Sequence, residues 1–80
     1  MYKILIIEDE DTIRENIRDM LRADNFIVAE AENGRTGIQM ALEEHPHLII
    51  CDVMMPEADG YEVLSEIRLH SATRLIPFIF

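Results

Sequence analysis

Apolar residues along this chain fall into two alternating rhythms. Lys3–Ile7 (KILII), Phe26–Ala31 (FIVAEA) and Leu48–Cys51 (LIIC) are short, mostly unbroken runs rich in β-branched residues. Runs of this kind predict strands, the most apolar of them buried on both faces of a sheet. Between them, apolar residues recur every three or four positions, which predicts helices with one inward face. Over Thr12–Ala23, Ile13, Ile17, Met20 and Leu21 share a face, while Arg14, Glu15, Arg18 and Asp19 fall elsewhere. Thr12 and Glu15 have the spacing of a capping box, and Asp11 is a second candidate cap. Asn33-Gly34 marks a turn, and a second helix over 35–44 turns Ile38, Ala41 and Leu42 inward before Pro46 ends it. After the loop VMMPEAD, Asp59 and Glu62 have cap spacing for a third helix over 60–70, with Val63, Leu64 and Ile67 as its stripe. Arg74–Phe80 (RLIPFIF) predicts a fourth strand.

Strands alternating with helices over short links predict βαβ units and a parallel sheet. Right-handed crossovers then place helices on both faces. In open sheets of this class, ligands bind beyond the carboxyl ends of the strands, where strand order reverses. Residues 1–80 contain no internal repeat and no linker-like stretch, so they read as one unit.

Composition narrows the picture. The chain is 49% hydrophobic and 29% charged, the balance of a folded globule rather than a disordered segment. A core this small seldom leaves more than roughly 3–5 kcal/mol of net stability. The formal charge of −9 opposes direct binding to nucleic acid or to an anionic membrane. The run ILII is too short for a membrane span and meets acids at once, so neither anchor nor signal peptide is expected. Cys51 is the single cysteine, which with no zinc-like spacing fits a reduced, cytoplasmic setting. His45 and His47 flank Pro46 and read as solvated loop residues; Cys51 reads as a small core residue, and Met40, Met54 and Met55 as packing or loop residues.

Charge placement points to chemistry. The first strand ends in Glu8-Asp9 and the third in Asp52, a costly position for a carboxylate unless it has a task. If these strands are neighbours, three like charges converge and something positive must relieve them. An oxygen-only donor set with room for water favours Mg²⁺ or Mn²⁺ over zinc. Acids after a strand also cap helices, and Glu8 and Asp9 alone would be ambiguous on that ground. Asp52 caps no nearby helix, since the next one starts several residues on, behind Pro56.

The segments IEDEDTIR, ENGRTGIQMA, HPHLIICDVMMPEADGYEVLSEIR and IPFIF closely resemble the receiver domain of two-component response regulators, the chemotaxis-receiver-like family. The resemblance runs through the whole chain in order; its most specific parts are the paired acids and the D-x-x-M-P-x-x-D-G pattern over Asp52–Gly60. It implies a three-layer flavodoxin-like α/β fold with strand order 2-1-3-4, part of a 2-1-3-4-5 sheet. It also implies that Asp52 is the phosphoacceptor, taking a phosphoryl group from a histidine kinase or phosphotransfer protein. Asp9 and Asp52 would hold Mg²⁺ by side chain, Met54 by its backbone carbonyl, and Glu8 through water. Met54 offers no side-chain hydrogen bond to a water attacking the phosphoryl group.

By the same resemblance, residues 1–80 are the N-terminal part of a receiver, lacking its last strand and helices. The switch Thr or Ser and the Lys that such domains carry are not in this chain. Phe78, Ile79 and Phe80 would then leave an apolar edge prone to self-association. Two other functions compete: a phosphorylation-independent interaction module, and an aspartate-nucleophile phosphatase. Asp9-Glu10-Asp11-Thr12 is loosely similar to the latter, but its threonine spacing is wrong and no catalytic lysine follows.

Overall fold

The structure, a computed structural model, describes residues 1–80. Strands β1 (Lys3–Ile7), β2 (Ile27–Ala31), β3 (Leu48–Cys51) and β4 (Phe78–Ile79) alternate with helices α1 (Asp11–Ala23), α2 (Gly34–Glu44) and α3 (Gly60–Leu69). All pairings are parallel, and the order across the sheet is β2-β1-β3-β4, as expected. This is the flavodoxin-like arrangement, with the order reversing between β1 and β3.

Register assigns the two faces. Leu5 pairs with Ala29 and Ile49, and Ile7 with Ala31 and Cys51, so these residues share one face. Ala41 of α2 and Val63 and Ile67 of α3 close over them, and the cluster is sealed from solvent. Helix α2 lies so close to the sheet that a Cβ at Gly37 would come within 2.5 Å of Ile7 Cδ1. Ile4 and Ile6 face the other way, in register with Leu48 and Ile50, and α1 crosses that side. Two arginines of α1, Arg14 and Arg18, reach Glu30 there at 3.4 and 3.5 Å.

Several local expectations are corrected. Helix α1 forms neither the Thr12–Glu15 capping box nor an Asp11 cap: Glu10 holds the cap position without a side-chain bond. Asp11 instead pairs with Arg14 within the first turn. The predicted inner face of α1 contains no buried residue, and Ile13 and Met20 are exposed. Asn33 does more than turn the chain, since its side chain accepts the Thr36 N–H at 2.8 Å and starts α2 at Gly34. His45 takes a left-handed conformation and closes α2 just before Pro46, and α3 stops at Leu69 rather than at His70. His47 is more than a solvated side chain, because its Nδ1 accepts the Lys3 N–H at 2.9 Å.

The fourth strand is the largest departure. Pairing covers only Phe78 and Ile79, because the chain before them is turned back on α3. Thr73 is buried and donates from Oγ1 to the Ile67 carbonyl at 2.8 Å. Arg68 Nη1 donates to the carbonyls of both Arg74 and Ile76 at 2.8 Å, so these residues face a helix instead of a strand. The Asp59 cap on α3 is as expected, accepting the Glu62 N–H at 2.9 Å.

Candidate functional site

Adjacent strand ends build the site. Ile7 and Cys51 are register partners, so Glu8 and Asp52 leave the sheet side by side. The Asp52 N–H donates to the Ile7 carbonyl at 2.9 Å, and the Glu8 N–H donates to the Ala31 carbonyl at 3.1 Å. These last rungs hold both residues on rigid backbone. One carboxylate oxygen from each of Glu8, Asp9 and Asp52 lies within 4.8 Å of the others.

The three acids are not equivalent. Glu8 is only 7% exposed, whereas Asp52 is half-buried and Asp9 is more open than Glu8. Burial pushes the Glu8 carboxyl above its ordinary value, and the neighbouring Asp9 and Asp52 carboxylates push the same way. A hydrogen bond from the Glu10 N–H to Glu8 Oε2, at 3.1 Å, partly opposes them. Asp52 Oδ1 faces the Met54 N–H at 3.4 Å, a long contact that leaves the carboxylate lightly held.

The loop after Asp52 folds tightly back on the strand. The Gly60 N–H donates to the Val53 carbonyl at 2.8 Å, and a Cβ at Gly60 would sit 2.5 Å from the Asp52 carbonyl oxygen. Any larger residue would therefore displace the backbone that carries Asp52. Beside the acids, a cavity of about 240 Å³ is lined by Glu8 and Asp52 together with Ile6, Ile17, Ile50 and Phe80. A larger cleft of about 530 Å³ opens along Val53, Met54, Pro56 and Tyr61. Cys51 contributes no nucleophile, since burial first, and then the Asp52, Glu8 and Asp59 carboxylates, push its thiol up to about 12.

A hard divalent cation fits this donor set. Every basic side chain in an ion pair is engaged elsewhere: Lys3 with Glu44, Arg14 with Asp11 and Glu30, Arg18 with Asp19 and Glu30, and His70 with Glu66. None of the ion pairs within residues 1–80 involves Glu8, Asp9 or Asp52, and the cluster offers three carboxylates, oxygen donors only. Of the residues expected at the site, Glu8, Asp9 and Asp52 converge. Met54 adjoins them through its backbone, with its side chain 82% exposed. Two participants escaped the sequence reading. Arg14 was assigned to the polar side of α1, yet it donates to the Glu8 carbonyl at 2.9 Å. Gly60, read as a helix start and as the last position of the D-x-x-M-P-x-x-D-G pattern, packs against the Asp52 backbone, a contact that neither reading specified.

The sequence profile described as the response regulator receiver domain matches residues 4–80. The chain belongs to the response regulator receiver family. This receiver is 45% identical over 74 residues to the transcriptional regulatory protein ResD of Bacillus subtilis, covering 92% of this chain and 31% of that protein. Against the transcriptional regulatory protein SrrA of Staphylococcus aureus the identity is 38%, with the same coverage. The receiver thus spans about a third of the length of these curated relatives.

Among solved structures, the N-terminal domain of a response regulator receiver protein from Methanoculleus marisnigri JR1 superposes with a TM-score of 0.95 at 30% identity. That match covers 99% of this receiver and 65% of that chain. The receiver domain of a sensor histidine kinase from Pseudomonas aeruginosa PAO1, solved with a magnesium ion coordinated in its active-site cleft, gives 0.92 at 28% identity. There the coverage is 96% of this receiver and 63% of that chain. The receiver is therefore a module of two-component signalling. No helix in it is long and apolar enough to cross a membrane.

Proposed function

We propose that this receiver accepts a phosphoryl group on Asp52 from the phosphohistidine of a histidine kinase or phosphotransfer protein, in the presence of Mg²⁺. The observation that carries the reading is the convergence of Glu8, Asp9 and Asp52 within 4.8 Å at neighbouring strand ends. The Asp9 and Asp52 carboxylates and the Met54 carbonyl would hold the ion, with Glu8 acting through water and Mn²⁺ serving in place of Mg²⁺. When bound, the ion neutralises phosphoryl oxygens and aligns donor with acceptor.

The chain supplies the nucleophile and its placement. A carboxylate oxygen of Asp52 attacks phosphorus as the P–N bond of the donor breaks, and the departing imidazole takes up a proton. A carboxylate is a weak nucleophile, but phosphoryl transfer through a loose transition state asks mainly for position and charge compensation. The strand end gives position, with Asp52 N–H fixed to Ile7 and Gly60 packed behind its carbonyl. The product adds charge to an edge already strongly acidic, and that local change is the signal.

The reading places the receiver in the cytoplasm with a phosphodonor protein as its partner, and with no direct contact to nucleic acid or membrane. Incubation with acetyl phosphate and Mg²⁺ followed by intact mass tests the assignment. The expected result is a gain of one phosphoryl group, absent with Asp52→Asn or with a chelator. No gain in the parent protein would leave the phosphorylation-independent interaction module as the reading.

A further inference from the structure

We infer that Arg14 is a positioning residue for the acidic pair, fixing Glu8-Asp9 for metal binding through the Glu8 backbone carbonyl. The inference rests on the metal-site reading above and adds a residue outside the set of ligands. Strand β1 ends at Ile7, and the Glu8 N–H makes the last rung to Ala31. The Glu8 carbonyl points out of that ladder, in a residue that is itself buried, and would be costly to leave without a donor. Arg14 Nη1 supplies the donor at 2.9 Å.

The peptide plane makes this bond matter for Asp9. The Glu8 carbonyl and the Asp9 Cα belong to one planar unit, so holding the oxygen fixes where Asp9 begins. Arg14 is held on its other sides as well. Its Nη2 meets Asp11 Oδ1 at 2.7 Å and its Nε meets Glu30 Oε1 at 3.4 Å, leaving the side chain 12% exposed. A planar guanidinium can serve these three directions at once, which an ammonium cannot. The guanidinium thereby ties the β1–α1 loop to the first turn of α1 and to β2.

Mn²⁺ binding to the full chain, followed by electron paramagnetic resonance at a temperature where each variant is folded, tests the role. Arg14→Ala is expected to weaken binding by about 10-fold, the lower end for groups hydrogen-bonded behind a metal site. Arg14→Lys, which can reach one or two of the three partners, is expected to recover part of that loss. Thr73→Val removes a buried hydrogen bond at the far end of α3 and serves as the stability control. It should lower the melting temperature and leave Mn²⁺ affinity unchanged. Unchanged affinity in Arg14→Ala, or an equal loss in Thr73→Val, would overturn the inference while the metal site stands. A parent chain that binds no Mn²⁺ would overturn both. If Arg14→Ala does not fold, parental affinity in Arg14→Lys rejects the three-way anchor, and reduced affinity supports it.

Discussion

The two faces of the sheet are built from similar residues and end up differently covered. Under α2 and α3, Leu5, Ile7, Ile49, Val63 and Ile67 are all 0% exposed. On the α1 side, Ile4 and Ile6 are buried, but Ile50 is half-buried and Ile79 is about half exposed. Helix α1 has no buried residue and is tied down by arginines on Glu30 rather than by a sealed apolar seam. The site lies between these regimes. The Asp52 backbone is packed against Gly60 at the start of α3, while its side chain shares a cavity with Ile6, Ile17 and Ile50 on the α1 side. Glu8 and Asp9 lead into α1, where ion pairs and one carbonyl bond do the holding.

The contrast can be broken most sharply on the closed face. Ile67→Ala should cost about 3 kcal/mol in urea unfolding, the usual scale for a buried isoleucine truncation. A cost below 1 kcal/mol, ~20% of a small domain's stability, would mean that the α3 seam is not the core. On the α1 side, Ile17→Ala, at a half-buried position, should cost clearly less than Ile67→Ala in the same assay; an equal cost would mean that α1 seals its face as α3 does.

A third and smaller effect separates the acids from both faces. The Glu8 carboxyl holds its proton more tightly in the folded than in the unfolded chain, because of burial first and of its acidic neighbours after. Without divalent cations, its contribution to stability should therefore fall as pH rises from the ordinary 4.5 through the raised folded value, then level off. Glu8→Gln should flatten that part of the melting-temperature profile, and an unaltered slope would assign it to other groups. The smallest effect belongs to α1: Met20→Ala, at a position 70% exposed, should change stability by less than about 0.5 kcal/mol.

The same contrast explains what the sequence disclosed. Strand runs, helix stripes, the Asp59 cap and the convergence of Glu8, Asp9 and Asp52 were legible, because local period and a parallel topology determine them. The exposure of Ile13 and Met20 was not, since a stripe shows which face is apolar but not whether anything covers it. The shortness of β4 was hidden because the carbonyls of Arg74 and Ile76, just before it, are claimed by Arg68, a side chain on another element. Arg14 was hidden for a related reason: its partner is a backbone oxygen, which leaves no mark in residue types. Asn33 could be read as a turn residue or as a cap, and only the Thr36 N–H decides between them.

The central claim is that Asp52, and neither of its two acidic neighbours, carries the phosphoryl group. Borohydride reduction after treatment with acetyl phosphate and Mg²⁺ converts an aspartyl phosphate to an alcohol, and peptide mass mapping then locates it. The account predicts reduction at residue 52 alone, lost when Mg²⁺ is chelated. Reduction at Asp9 or at another carboxylate, with Asp52 intact, would contradict it.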